Sequence, residues 1–305
     1  MSKPDLKVKI GTLEMKNPVT VASGTFGYGP EYADYVDLNR LGAVTVKGIC
    51  LEPHIGNQTP RTFETASGML NAIGLPGPGA QGFVEKYIPF FEDYDVPLIV
   101  NIWGRTLDEY GDVAEKIGSQ DRVGALEVNV SCPNVKEGGA LYGTDVNLFA
   151  SVVKKVRAKT DKPIIIKLAP NVADIKAFAV AAEEYGANGL AIMNSYPAMA
   201  IDIETRKPQL ANRTGGLSGP AIKPIAVKLV WEAAQVVDIP IIGMGGIYSP
   251  EDAIEFIIAG ASAVAVGTAN FTDPSTAVRV VDGLESWMTQ RGIGSVDELR
   301  GTVQA

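Results

Sequence analysis

Residues 240–267, PIIGMGGIYSPEDAIEFIIAGASAVAVG, decide the fold. Pro240–Gly243 is a short, continuous apolar run. Runs of that kind read as parallel strands buried on both faces, whereas half-exposed strands alternate. Its proline sits at the first residue, where a strand tolerates it. Ser249-Pro250-Glu251-Asp252 then supplies a helix N-cap, an N1 proline and an acidic first turn. Ile254, Ile257 and Ile258 follow at helical spacing, and Ala263–Gly267 begins a second buried strand. The stretch is one strand–helix–strand unit.

The same unit recurs on the N-terminal side of it. Comparable runs stand at Pro18–Ala22, Ala43–Lys47, Pro97–Asn101, Ala125–Val130, Pro163–Lys167 and Gly189–Met193, which makes eight with the two above. The segments between them are amphipathic; Val146, Phe149, Val152, Val153 and Val156 fall on one helical stripe. Eightfold alternation predicts an α/β fold of the (β/α)8 barrel type. A doubly wound sheet usually has fewer strands and carries its glycine fingerprint at the first turn. Residues 1–305 are expected to form a single domain, since barrels of ~250 residues fold as one unit. The 46% hydrophobic content is ample for its core. Val8–Asn17 reads as a small hairpin closing the N-terminal end of the barrel, and the stretch after Gly292 as a surface extension. Gly48–Gly79, Ser131–Thr144 and Ser195–Gly219 are too long for simple turns. All three follow strands, so they belong to the C-terminal face, and loops of that length are usually functional.

Composition excludes several classes. The net charge of −8 and the absence of a basic cluster argue against a nucleic-acid or anionic-lipid binder. No signal peptide and no run of about 18 apolar residues is present, so a cytoplasmic protein is expected. Two cysteines, Cys50 and Cys132, make neither a disulfide framework nor the usual four thiolates of an iron–sulfur cluster. With His54 the single histidine, no metal site is expected.

The active site of a (β/α)8 barrel is built from strand C-termini and the loops after them. Those positions hold Lys47, Asn101, Asn129, Cys132, Lys167, Asn194 and Ser195, with Gly245-Gly246 after strand seven and Gly267-Thr268 after strand eight. Solvated rim residues are the plain alternative for any one of them. An unpaired buried polar group costs about 1–3 kcal/mol, so a shared polar ligand better explains the set. The last two glycine turns stand where such barrels bind phosphate. Gly77-Pro78-Gly79-Ala80-Gln81-Gly82 fits G-x-G-x-x-G but follows a loop, which weakens a dinucleotide reading. Phosphate, amides and inward lysines suit flavin mononucleotide (FMN), with Lys167 stabilising the reduced ring. A Schiff-base aldolase using Lys167, or a non-enzymatic binding barrel, are the competing readings. Cys132 opens a glycine-hinged loop, and its ordinary pKa of about 8.5 allows proton abstraction. Cys50 reads as an inert core residue.

Several stretches resemble the dihydroorotate dehydrogenase family: Lys47-Gly48 with Leu51-Glu52-Pro53, Gly68–Leu75, Asn129-Val130-Ser131-Cys132-Pro133-Asn134, Ala211–Gly219 and Gly243-Met244-Gly245-Gly246-Ile247. The likeness runs from about Val8 to Asp273. It implies an FMN-binding (β/α)8 barrel acting in pyrimidine (UMP) biosynthesis. Cys132 is then the base removing the C5 proton of dihydroorotate while hydride leaves C6 for the flavin. The resemblance gives Lys47, Asn71, Ala72, Ile73, Gly74, Leu75, Asn129, Asn134, Asn194 and Ser195 to the substrate. It gives Ser23, Lys47, Gly48, Asn101, Asn129, Lys167, Met193, Gly219, Gly245, Gly246, Gly267 and Thr268 to FMN. A cysteine base and a first strand near residue 18 resemble the soluble types. The Lys47–Pro53 and Gly68–Ala72 stretches resemble the NAD-linked type (class 1B) more than the fumarate-using one. That type implies a partner subunit carrying FAD and [2Fe–2S], and a homodimer of catalytic subunits within a heterotetramer. Tyr196-Pro197-Ala198 departs from the family pattern in being bulky and stiff, which bears on substrate preference.

Overall fold

The computed structural model describes residues 3–130 and 142–304. Eight parallel strands make one sheet: β1 (Val19–Val21), β2 (Val44–Ile49), β3 (Leu98–Ile102), β4 (Val123–Asn129), β5 (Ile164–Lys167), β6 (Gly189–Ile192), β7 (Ile241–Met244) and β8 (Ala263–Val266). Hydrogen-bonded neighbours run β1-β8-β7-β6-β5-β4-β3-β2. The two end strands also meet. Gly42 N–H donates to the Val19 carbonyl at 2.8 Å, and the Thr20 and Thr45 hydroxyls pair at 3.1 Å. The sheet is thereby brought round into a (β/α)8 barrel, with every strand within two residues of its predicted run.

A helix follows each strand: α1 (Pro30–Ala33), α2 (Gly79–Lys86), α3 (Leu107–Gly118), α4 (Val146–Arg157), α5 (Ile175–Glu184), α6 (Lys223–Ala234), α7 (Pro250–Ala259) and α8 (Thr276–Arg291). Local chemistry starts several of them. Thr106, Asp145 and Asp174 accept from the first free N–H groups of α3, α4 and α5. Ser249 and Asp252 form a reciprocal capping box on α7. Phe149, Val152, Val153 and Val156 bury the inner face of α4. Val146, expected on that stripe, is exposed, because it is the first helical residue and stands beyond the barrel wall.

The barrel interior is stratified. Ala43, Ile99, Ala125, Ile165, Ile242 and Ala263 fill its lower part. The hairpin Val8–Ile10 with Leu13–Met15 plugs that end, driving Ile10, Leu13 and Met15 into the same cluster. Glycines make room for it: a Cβ at Gly189 would stand 2.8 Å from Ile10 Cγ2, and one at Gly124 would stand 2.6 Å from Leu13 Cδ1. Above this layer the inward side chains turn polar, with Thr20, Thr45, Asn101, Glu127, Asn129 and Lys167 all buried.

Two of the long loops pair with each other. Strands Tyr196–Ala198, Gly215–Ser218, Gly68–Asn71 and Thr62–Thr65 form, in that order, an antiparallel sheet over the C-terminal face. Tyr196 is half-buried against the main core, so the stiff Tyr-Pro-Ala step is an edge strand of this sheet. The C-terminal stretch corrects the expectation of a surface extension. Val296 and Leu299 are buried, Asp5 N–H donates to the Gly294 carbonyl at 2.8 Å, and Gly301 N–H donates to the Ile257 carbonyl at 3.1 Å. Two apolar side chains spaced one helical turn apart anchor it. Among the described residues, no helix is long and apolar enough to cross a membrane.

Candidate active site

Side chains on a strand alternate between its two faces, so residues two apart share one. On β4, Ala125, Glu127 and Asn129 therefore all point inward, at rising heights. Register supplies their neighbours: Asn101 of β3 lies beside Glu127, and Lys167 of β5 beside Asn129. Glu127 Oε1 accepts from Asn101 Nδ2 at 2.6 Å and from Lys167 Nζ at 3.3 Å. The Lys167 ammonium also donates to Ser23 Oγ at 3.0 Å. Both members of the Lys167–Glu127 ion pair are almost wholly shielded from water.

Above this floor opens a cavity of about 460 Å³, a size typical of small-molecule sites. Ser23, Lys47, Gly48, Asn129 and Lys167 form its base, with Met193, Asn194 and Ser195 on the β6 side. Asn71, Ile73, Gly74 and Leu75 face it from the cross-loop sheet and the turn after it. Gly219, Gly245, Gly246, Gly267 and Thr268 line the remaining end.

Two predicted residues stand behind this wall. Ala72 faces the opposite side of its strand from Asn71 and is buried with Leu70 and Leu210. Asn101 lies one layer down, and its Oδ1 is buried beside Gly48 with no hydrogen-bond partner among the described residues. Cys132 and Asn134 lie outside the described residues.

The electrostatics differ between the two lysines. Lys167 is neutralised from below by Glu127. Lys47 has no ion pair among the described residues, and burial lowers its pKa; the Glu31 carboxylate opposes this and Arg61 adds to it. Lys47 lines the cavity, where it presents a cation. The amides hold one another in place: Asn194 Nδ2 is 3.5 Å from Asn129 Oδ1, and Asn71 Nδ2 donates to the Gly216 carbonyl at 3.3 Å. Leu75 holds a left-handed φ of 52° next to Gly74, in a turn tied down by Asn57. A non-glycine residue in that region marks a constrained wall. Cys50 is buried, its Sγ donates to the Glu52 carbonyl at 3.0 Å, and burial pushes its thiol up to about 11. That agrees with an inert role.

The family model for dihydroorotate dehydrogenase matches residues 5–288. This chain belongs to the dihydroorotate dehydrogenase family. It is 53% identical over 304 residues to the Geotalea daltonii protein named dihydroorotate dehydrogenase B (NAD(+)), catalytic subunit, covering all of both chains. Proteins of the same name from Desulforamulus reducens and Alkaliphilus metalliredigens are 54% and 53% identical over 299 and 303 residues. The Desulforamulus match covers 98% of both chains, and the Alkaliphilus match 99% of this chain and 100% of its relative.

In this dihydroorotate dehydrogenase family member, sequence reasoning passed over several wall residues. Gly24 and Thr25 follow Ser23 at the β1 end; Thr62 and Met69 come from the cross-loop sheet; Ser218, Ile222 and Phe271 stand near the glycines. Ser218 Oγ accepts from the Thr268 hydroxyl at 2.8 Å. Its place just before Gly219 was the available signal. Glu127 was also missed. An acid inside a buried apolar run was its signal. Among the described residues no His/Cys/Asp/Glu cluster could hold a metal ion.

Proposed function

We propose that this chain is the FMN-binding catalytic subunit of an NAD-linked dihydroorotate dehydrogenase in pyrimidine biosynthesis. The observation that carries the proposal is the convergence of Lys47, Lys167, Asn71, Asn129 and Asn194 on one cavity whose far end is lined with glycine. The residues fit the cofactor. Gly219, Gly245 and Gly246 have φ of 99°, 131° and 76°, conformations that leave backbone open to a phosphate. A Cβ at Gly246 would lie 2.8 Å from the Gly219 carbonyl oxygen. Lys167, which lines the cavity, has a third N–H beyond the two already engaged. FMN, when bound, supplies the acceptor for the hydride from C6 of dihydroorotate.

The rest of the chemistry belongs to the chain. Lys47 meets the substrate carboxylate with a charge-assisted hydrogen bond. Asn71, Asn129, Asn134 and Asn194 orient the ring through its amide and carbonyl edges. Cys132, as thiolate, takes the C5 proton. Loss of that proton and of the C6 hydride leaves orotate with a C5–C6 double bond. The wall from Ile73 to Leu75 keeps water from the reacting carbons. With two cysteines in the chain, a separate subunit with FAD and [2Fe–2S] carries electrons to NAD⁺, and the working assembly is a cytoplasmic heterotetramer around a homodimer of this chain. Residues 1–305 act as one domain.

Cys132→Ala tests the base. Turnover is expected to fall about 10²–10⁴-fold with FMN retained. Unchanged turnover would remove Cys132 from the reaction, and a protein that cannot be loaded with FMN would overturn the proposal.

A further inference from the structure

Glu127 has no part in the chemistry above, yet it is a carboxylate enclosed in the barrel directly beneath the cavity floor. Burying a carboxylate is costly unless it is paired and hydrogen-bonded. Glu127 has both: one oxygen receives Asn101 Nδ2 and Lys167 Nζ together. The pair could have been dispensed with, since Ile, Ala and Thr side chains fill neighbouring inward positions without charge. Its arrangement is also directional. Glu127 and Ser23 take two of the three ammonium protons of Lys167, which leaves one N–H for the cavity that Lys167 lines.

We propose that Glu127 is a positioning residue for Lys167. It aims the remaining N–H upward and offsets the lysine charge, so that the ring above feels a moderated cation. This rests on the flavin reading. A full positive charge under the ring would stabilise its reduced, anionic form more strongly and raise its two-electron potential. The floor therefore sets that potential through the balance of two opposite charges, with Asn101 holding the carboxylate in register.

The test is the two-electron midpoint potential of FMN-loaded protein, measured anaerobically against a reference dye. Glu127→Gln keeps an acceptor for Asn101 and Lys167 but removes the charge. It should shift the reduced-to-oxidised ratio at fixed potential at least tenfold toward reduced, a rise of about 30 mV for a two-electron couple. Glu127→Asp retracts the carboxylate and should move the potential the same way by less; it carries the test if Glu127→Gln does not fold. In a Lys167→Gln background, Glu127→Gln should have no further effect, because the lysine through which it acts is gone. A potential that is unchanged or lowered in folded Glu127 variants would overturn the proposal. So would a shift that persists without Lys167, since Glu127 would then act on the ring directly. Wild-type protein that holds no flavin refutes the cofactor reading and this proposal with it. Wild-type protein that holds flavin, with a Glu127 variant of unaltered potential, refutes this proposal alone.

Discussion

The lower and upper halves of the barrel interior are built on the same strands, yet they answer to different demands. Below, Ile99, Ala125, Ile165 and Ile242 close over the hairpin side chains Ile10, Leu13 and Met15 without a polar atom. Two residues further along the same strands, Asn101, Glu127 and Lys167 take the inward positions, and each must find a partner in the interior. Burial of apolar side chains is sufficient reason for the lower half. No comparable reason exists for the upper half, because an apolar set would pack there at less electrostatic cost. Polar groups kept at such a place, with Asn129 and Lys167 lining the cavity above, indicate a ligand.

The contrast can be broken by substitution in either half. Ile165→Ala, in the lower half, should lose about 2–5 kcal/mol of stability by cavity formation. Turnover per folded molecule should stay close to that of the wild type, since Ile165 lies in the lower layer and does not line the cavity. Denaturant unfolding alongside flavin-normalised activity checks both. A large loss of turnover with little loss of stability would erase the distinction.

Lys47→Gln, in the upper half, should leave folding intact and weaken orotate binding about 10–100-fold, the range for a hydrogen bond to a charged group. The wild-type protein adds a pH signature. Burial lowers the Lys47 pKa, so its ammonium discharges earlier than an ordinary lysine as pH rises. Orotate affinity should be full below that pKa and decline through it, starting below the usual lysine value of about 10.4. Lys47→Gln should flatten this limb. Titration of orotate across alkaline pH measures it, and an identical limb in the variant would assign it elsewhere.

Gly246→Ala sharpens the contrast at the cavity's glycine end. Alanine at φ 76°, with its Cβ 2.8 Å from the Gly219 carbonyl oxygen, forces the backbone to shift. Affinity for FMN should fall about tenfold, as read by fluorescence quenching on titration into apoprotein. Unaltered affinity would exclude this turn from the phosphate site.

Much of this was legible in the residues because each cue is local. A parallel strand buried on both faces is a continuous apolar run, and Ser249-Pro250-Glu251-Asp252 announces its helix in four positions. The wall was legible where a polar residue ends such a run, as at Lys47, Asn129 and Lys167. The cross-loop sheet was hidden because it joins Asn71 to Gly216 through short, glycine-rich strands far apart in the chain. The placement of Ala72 follows from that hidden strand, whose alternation sends Asn71 and Ala72 to opposite sides. Asn101 was read as a wall residue because its depth depends on the stagger between β3 and β4. Glu127 escaped because its partner Lys167 lies on the next strand, and only register brings the two together.

The most direct test of the central claim is an anaerobic absorbance spectrum of the purified protein before and after dihydroorotate is added. A flavin spectrum near one FMN per chain, bleached by dihydroorotate with formation of orotate, is the predicted result. A protein with no flavin band after reconstitution, or a band that dihydroorotate leaves unchanged, would contradict the account.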